Sequence, residues 1–317
     1  MKKFLALIMT AIMIISVAAC TANEGELILT TGGTGGSYYP YGGAMATIFT
    51  DNIAGISVTS TASGASTENA RLLNSKEADL AILQNDVLDY AYNGTEIFKD
   101  EGALSNLATI ATLYPEVIQI VVTADSGISS IGDLKGKSIS VGAAGSGTEA
   151  NARQILEAYG IAYQDLGKVE YLSFAESSTA VQNMTLDGFF CTAGVPNPSI
   201  LELNAARKIA ILSIDADKTD ALIAKYPFYA KFDIGEGVYE GIAGASTVAV
   251  MATLACRKDL STDTVYNITK TLFEKKADLA AANDKANSLD VNAAVNGVSV
   301  PLHPGAEKYY KEAGVIK

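Results

Sequence analysis

Histidine is almost missing from this chain of 317 residues, which has one, and cysteine is rare, with three. We expect the one histidine, His303, to be a buried turn residue that fixes the C-terminal segment. A Ser-His-Asp triad would need it, but the sequence has no G-x-S-x-G elbow. No His, Cys or carboxylate residues cluster at the spacing of metal ligands. Catalysis, a metal site and a cofactor are therefore not expected.

Complete nucleotide-binding motifs are also missing. Gly136-Lys137-Ser138 looks like the end of a P-loop, but Ile131 stands where the first glycine is required. Gly33-Thr34-Gly35 starts like a dinucleotide fingerprint, but Tyr38 stands in the place of its third glycine. The sequence therefore excludes both kinds of nucleotide site.

Charged residues make up only 18% of the chain, whereas hydrophobic residues make up 49%, which is enough for a large core in one or two domains. The formal net charge is −12. An acidic surface argues against nucleic acid or an anionic membrane surface as a partner, and we expect a monomer.

The N-terminus has the features of an export signal. Lys2 and Lys3 precede the apolar run of residues 4–17, which is too short to span a bilayer comfortably. Val17-Ala18-Ala19-Cys20 then resembles the cleavage site of a bacterial lipoprotein; the alternative is a plain signal peptide with a chance cysteine. We expect residues 1–19 to be removed, Cys20 to be lipidated, and residues 20–25 to tether the protein extracytoplasmically to the outer face of the cytoplasmic membrane or in the periplasm.

The remaining cysteines are Cys191 and Cys256. An exported protein can form a disulfide, but spacing alone does not establish one. We favour two separately buried thiols.

Strand and helix patterns alternate along the rest of the chain, which predicts an α/β fold of parallel βα units. The predicted strands are 26–30, 56–60, 79–83, 138–142, 169–174, 188–192 and 247–256, and the main helices are 39–53, 66–74, 148–159, 176–186 and 262–283. Residues 107–123 predict two strands separated by a turn at Tyr114-Pro115-Glu116.

Two glycine loops each follow a strand and precede a helix. The first is TGGTGGSYYPYGG, Thr31 to Gly43, and the second is AAGSG, which starts at Ala143. Ligands of open α/β sheets collect at the carboxyl ends of strands, and helix N-termini favour anions. Ser146 and Glu149 match a capping box at the second helix.

No lysine or arginine lies in either loop, so neutral donors would hold an anion there. Arg71 and Arg153 are candidate cations, although a solvated role is commoner for residues on predicted helices. A tyrosine beside the first loop, such as Tyr38, Tyr39 or Tyr41, is expected to wall a pocket.

Six segments together resemble the TAXI family, the solute receptors of one branch of the TRAP transporters. They are LILTTGGTGGSYYPYGG, STASGASTENARLLNSKEADLAILQND, LYPEVIQIVV, IGDLKGKSISVGAAGSGTEANARQIL, DGFFCTAGVP and PLHPGAEKYYKEAG. The resemblance covers the whole mature chain. It implies a type II periplasmic-binding-protein fold, with two α/β lobes and a ligand cleft between them. Residues 26–123 would form the first part of lobe I, 124–245 lobe II, and 246–317 the return to lobe I with the C-terminal helices.

The resemblance also implies function. The ligand would be a small carboxylate such as glutamate, glutamine or an oxo- or dicarboxylic acid, delivered to a TRAP membrane permease. The implied contacts are Thr34, Gly35, Gly36, Ser37, Tyr38, Tyr39, Ser63, Ser66, Gln84, Ser146, Gly147 and Thr148. Cys191 stands where a bulkier residue is expected, which leaves the pocket size open. Two alternatives are a receptor of an ABC transporter and an exported sensor or enzyme on the same fold.

Overall fold

The strands of residues 25–317, the part of the chain that the computed structural model describes, join one mixed sheet of ten strands. Cys20 lies outside these residues. The strands are β1 Glu26–Thr30, β2 Ser57–Thr61, β3 Leu80–Gln84, β4 Leu107–Thr123, β5 Ser138–Ser140, β6 Lys168–Glu170, β7 Gly188–Ala193, β8 Ile209–Leu212, β9 Ala230–Ile234 and β10 Ala245–Arg257.

Ten α-helices accompany these strands in the described residues. They are α1 Tyr38–Asn52, α2 Ser66–Ser75, α3 Asn85–Asn93, α4 Gly147–Ala158, α5 Phe174–Gln182, α6 Pro198–Ala206, α7 Ala216–Lys225, α8 Thr262–Glu274, α9 Lys276–Ala282 and α10 Pro304–Glu312. None of them is long and apolar enough to cross a bilayer.

The sheet has two parallel halves separated by two long antiparallel strands. Its order is β2-β1-β3-β10-β4-β7-β5-β6, with β8 also paired to β4 and β9 to β10. β1 pairs in parallel with β2 and β3, and β5 does so with β6 and β7. The predicted parallel βα units are confirmed, and β4 and β10 connect them.

Along both β4 and β10, the apolar side chains pack into one core at one end of the strand and into a different core at the other end. In β4, Tyr114 packs with β1 and α1, whereas Val117 packs with β7. In β10, Val250 packs with α4, whereas Ala252 packs with β3. The chain therefore has two lobes that share these strands. The first lobe contains β1–β3, α1–α3 and α8–α10, and the second contains β5–β9 and α4–α7.

The predicted turn in residues 107–123 is wrong, because β4 is one strand of 17 residues. Pro115 lies opposite Met251, beside a register shift between the two strands: Met251 and Thr253 of β10, two residues apart, pair with Pro115 and Thr112 of β4, three residues apart. The hydrogen-bond ladder between β4 and β10 is therefore irregular next to Pro115. Because proline has no N–H to donate, such an irregularity allows it within the strand. The predicted lobe boundaries, 123/124 and 245/246, fall at the end of β4 and the start of β10 and stay predictions.

The predicted helix over 262–283 is also wrong in detail. It breaks into α8 and α9 at Lys275, whose backbone is non-helical at φ −101° and ψ 18°. Both helices contact α1. No proline or glycine marks the break, so the sequence pattern does not indicate it.

His303 has the structural role that its position predicts. It is 1% exposed and caps α10, where its Nδ1 accepts a hydrogen bond from the Gly305 N–H at 3.1 Å. Its Nε2 lies 3.2 Å from the Leu260 carbonyl oxygen, which ties the C-terminal segment to the end of β10. The histidine therefore anchors the last helix.

Candidate functional site

A cavity of about 190 Å³ lies between the two lobes. The first lobe supplies the first glycine loop, the 63–66 turn, Gln84 and Glu116, and the second supplies the second glycine loop, residues around 173 and the end of β7. The lining is Gly32, Gly33, Gly35, Gly36, Ser37, Tyr38, Ser63, Gly64, Ala65, Ser66, Gln84, Glu116, Ala143, Ser146, Gly147, Thr148, Tyr171, Ser173, Phe174, Glu176, Thr192 and Ala193.

Ten of the twelve predicted contact residues line this cavity. They are Gly35, Gly36, Ser37, Tyr38, Ser63, Ser66, Gln84, Ser146, Gly147 and Thr148. Thr34 and Tyr39 do not line it, and Tyr39 is 40% exposed on α1. Neighbouring residues of a helix point about 100° apart, so Tyr38 and Tyr39 do not face the same way. The role of the twelve residues in binding stays a prediction.

Four helices begin at the cavity wall: the first residues of α1, α2, α4 and α5 are among its lining. The first N–H groups of a helix have no partner within it, and the helix dipole is positive there. All four helix starts therefore favour an anion in the cavity.

Ser146 caps α4 as predicted, because its Oγ accepts a hydrogen bond from the Glu149 N–H at 3.2 Å. The predicted capping box is only half formed. The Glu149 carboxylate accepts a hydrogen bond from the Tyr163 hydroxyl at 2.8 Å instead of returning to the cap. The cap occupies one N–H group of the first turn of α4, so the other N–H groups of this turn are available to a ligand in the cavity.

At two lining positions glycine allows groups of the other lobe to approach closely. A Cβ on Gly147 would overlap the amide oxygen of Gln84. A Cβ on Gly35 would lie 2.5 Å from Ser199 Oγ and 3.2 Å from the backbone nitrogen of Ala175. Both contacts join the two lobes, so these glycines allow the lobes to approach each other.

Beside the cavity, polar side chains form a network that we call the interlobe latch: Gln84, Asp86, Tyr90, Asn151 and Gln154. Asn151 Oδ1 accepts from Gln84 Nε2 at 2.6 Å, and Asn151 Nδ2 donates to Asp86 Oδ2 at 2.9 Å. Gln154 Nε2 donates to the Tyr90 hydroxyl at 3.2 Å. The latch joins α3 to α4 across the cleft, so the conformation is closed.

Glu116 lines the cavity but is not among the predicted contact residues. Glu116 is 3% exposed, and burial raises the pKa of its carboxyl from 4.5 to about 8, although Tyr38 and Lys285 act to lower it. The sequence pattern predicts a turn at this residue, whereas it lies in β4, where this strand passes between the lobes. The signal in the sequence that could have identified it is a single acidic residue, Glu116, in a segment rich in valine and isoleucine.

The Tyr38 hydroxyl lies near Glu116 and acts to lower the pKa of its carboxyl. In residues 25–317, however, no group is placed at the distance and angle of an ordinary hydrogen bond to this hydroxyl. Tyr38 is 6% exposed and lines the cavity. A buried hydroxyl without a partner is costly, so we expect it to bond to a ligand.

A second missed group is Tyr171, Ser173, Phe174 and Glu176, which also line the cavity. The predicted strand over 169–174 ends at Glu170, and α5 begins at Phe174. Ser173 and Glu176 form a capping box: the Ser173 N–H donates to Glu176 Oε2 at 2.9 Å, and the Glu176 N–H donates to Ser173 Oγ at 3.3 Å. The S-x-x-E spacing was the signal for this helix start.

Both described cysteines are free and buried, as expected. Cys191 is fully buried and does not line the cavity, whereas the next residues, Thr192 and Ala193, do. Cys191 packs in a buried cluster with Val117, Phe189 and Ala193, behind the cavity wall. Its size therefore acts on the pocket through packing.

The candidate cations lie elsewhere. Arg71 pairs with Glu101 at 2.9 Å, and Arg153 lies 3.8 Å from Glu149, with both arginines nearly half exposed. The cavity lining contains no lysine or arginine. Residues 25–317 also contain no group of three His, Cys, Asp or Glu residues that could hold a metal ion.

Solved structures share this fold at low sequence identity. PhnD1 from Prochlorococcus marinus, in complex with methylphosphonate, is 11% identical with a TM-score of 0.59, and the match covers 92% of this chain and 99% of that one. The alkanesulfonate-binding protein SsuA from Xanthomonas axonopodis pv. citri, bound to MOPS, is 15% identical with a TM-score of 0.52, over 90% and 83% of the two chains.

A third structure, a putative L-cystine ABC transporter protein from Listeria monocytogenes, is 12% identical with a TM-score of 0.52, and covers 82% of this chain and 94% of its own. These matches confirm the predicted fold class, the two-lobe α/β fold of periplasmic binding proteins. The sequence model of the NMT1-like family matches residues 29–314, and the chain belongs to this family.

Proposed function

We propose that the protein is an extracytoplasmic solute-binding receptor, which encloses a small ligand between its lobes and delivers it to a membrane transporter. The observation that supports this most directly is the cavity of about 190 Å³, which residues of both lobes line. A site shared by two lobes couples ligand binding to closure, because the closed form makes contacts that the open form lacks.

We propose a small carboxylate as the ligand, as the family resemblance implies. Four helix starts at the cavity favour an anion, and the lining offers hydroxyl and backbone donors in place of cationic side chains. The carboxylate would lie against the Ser146-Gly147-Thr148 helix start. MOPS and methylphosphonate, which are bound to two of the structural neighbours, also carry acidic groups.

The type of transporter has two candidates. The Listeria structure is named for an ABC transporter, which favours an ATP-driven partner. A TRAP permease rests on the motif resemblance to the TAXI family. Uptake of labelled ligand into membrane vesicles with the receptor added separates them: an ABC partner requires ATP, whereas a TRAP permease responds to an imposed ion gradient without ATP.

Mass spectrometry of small molecules released from the purified protein tests the proposed function. We expect a carboxylate to be recovered and to bind again, unchanged, in calorimetry. A ligand converted to product during incubation would support the enzyme alternative. Tight binding of a neutral sugar, with no heat from glutamate, glutamine or dicarboxylates, would overturn the carboxylate assignment.

A further inference from the structure

We propose that Glu116 binds a positively charged amino group of the ligand, so that the receptor selects amino acids over oxo acids and dicarboxylates. This inference rests on the proposed function and narrows its ligand class. It assigns the two charges of an amino acid to different groups of the cavity: the Ser146-Gly147-Thr148 helix start to the carboxylate, and Glu116 to the ammonium group.

The position of Glu116 is unusual for a carboxylate. It is 3% exposed, lines the cavity, and lies in β4 one residue before Val117, which pairs with Ala193 of the opposite cavity wall. A buried carboxylate is costly unless a charged or hydrogen-bonding partner compensates it. In residues 25–317 Glu116 forms no ion pair, and the groups that lower its pKa are the Tyr38 hydroxyl, Lys285 and the Gly194 N–H, so burial still dominates.

Lys285 is the cation that influences Glu116, but it already has other partners. Its Nζ donates to the Pro196 carbonyl oxygen at 3.2 Å and lies 3.9 Å from Asp284 Oδ1. Lys285 does not line the cavity. A ligand ammonium is therefore well placed to provide the missing positive charge, and the Tyr38 hydroxyl beside Glu116 offers the ligand a further hydrogen bond.

Binding should release a proton at neutral pH. Burial raises the pKa of Glu116 to about 8 in the protein without ligand, so the carboxyl is mostly protonated at pH 7. An adjacent ammonium favours the ionised form and lowers this pKa. The affinity for an amino acid should therefore rise as the pH rises from 6 to about 8.

The other titratable groups that interact with Glu116 are Tyr38, Tyr114, Asp86, Cys191 and Lys285. Burial raises the pKa of both tyrosines and of the Cys191 thiol well above their ordinary values. Burial raises the pKa of Asp86 to about 6 only. Proton release between pH 7 and 8 therefore reports mainly on Glu116.

Thermal shift with the twenty standard amino acids and their matched 2-oxo acids tests the inference first. We expect at least one amino acid to raise the melting temperature, and its 2-oxo counterpart to raise it less. Stabilisation by oxo acids or dicarboxylates, without any by amino acids, would overturn the role of Glu116 and leave the proposed function standing. Binding of none of these compounds, with no small molecule released from the purified protein, would reject both.

Calorimetry of the stabilising pair then compares the wild type with Glu116→Gln. We expect this variant to lose about tenfold or more in affinity for the amino acid and little for the oxo acid. Titration in buffers of different ionisation enthalpy should show proton release in the wild type and none in the variant. Glu236→Gln, in an exposed residue outside the cavity, is the matched control.

Two results would contradict the inference. One is an affinity ratio of amino acid to oxo acid that Glu116→Gln leaves unchanged. The other is proton uptake or no proton exchange by the wild type at pH 7, which would mean that protonated Glu116 donates to a ligand oxygen. If Glu116→Gln does not fold, proton exchange and pH dependence of the wild type still decide between these outcomes.

Discussion

Asp86 and Glu116 are two acidic residues at the cleft that are almost equally buried, at 1% and 3% exposed, but have different surroundings. Asp86 accepts hydrogen bonds from Asn151 Nδ2 and from the Val87 N–H, each at 2.9 Å. Glu116 faces the cavity. Burial raises the pKa of Asp86 to about 6 and that of Glu116 to about 8. Similar burial therefore gives different pKa values, because the fixed donors around Asp86 offset its burial more than the groups around Glu116 offset that of Glu116.

The largest expected effect is the pH dependence of folding, which separates the two acids. Both pKa values are raised in the folded state, so the protonated forms favour folding and stability falls as the pH rises. Asp86 contributes to this fall between pH 3.8 and about 6, and Glu116 contributes between pH 4.5 and about 8. Each contributes at most about 1.4 kcal/mol per pH unit.

Urea denaturation from pH 4 to pH 8 measures these slopes. We expect Glu116→Gln to flatten the curve from pH 4.5 to about 8, which includes the range above pH 6 where Asp86 no longer contributes, and Asp86→Asn to flatten it only below about pH 6. If the free energy of unfolding changes with pH equally in the wild type and in Glu116→Gln, then Glu116 does not contribute to the pH dependence of folding in the way that distinguishes it from Asp86.

The next effect concerns the interlobe latch. Asp86→Ala removes one of the two acceptors of Asn151 Nδ2 and leaves the other, the Tyr229 hydroxyl, so one buried N–H loses its partner at a cost of about 3 kcal/mol. We expect a lower melting temperature and a larger radius of gyration in scattering, because the closed form loses a bond across the cleft. Asp100→Ala, in an exposed residue, is the control and should change neither quantity. An unchanged radius with a lowered melting temperature would limit Asp86 to folding within its own lobe.

A smaller effect is expected at the start of α4, which lines the same cavity as Glu116. Ser146→Ala should weaken ligand binding by about tenfold to a hundredfold. It also removes the cap of α4, which typically costs about 1 kcal/mol of stability. Calorimetry and melting on the same sample separate the two losses. Wild-type affinity in this variant would show that other helix starts hold the anion.

The smallest effect on the cleft is expected from Cys20→Ala. The lipid anchor would lie outside the two lobes, so ligand affinity should not change. The variant should move from the membrane fraction to the soluble fraction, because acyl-chain burial contributes about 0.8 kcal/mol per methylene. Fractionation like that of the wild type would refute lipidation at this residue.

The βα alternation and the glycine loops were predictable because they depend on local signals. Hydrophobic periodicity fixed α1, α2 and α4 within one or two residues, and Ser146 was identified as a cap from its own residue type. The turn at Pro115 and the uninterrupted helix over 262–283 were wrong. Local propensity disfavours a proline in a strand, but pairing on both sides keeps β4 continuous.

The sequence by itself determined the fold class, the two helix starts at the glycine loops and the structural role of His303, because neighbouring residues specify each of them. Only the tertiary structure decided that Glu116 lines the cavity and that Asp86 bonds to Asn151, which lies 65 residues away along the chain. The pKa of a carboxyl depends on the groups around it in space, and β4 and β10 bring those groups together from both lobes.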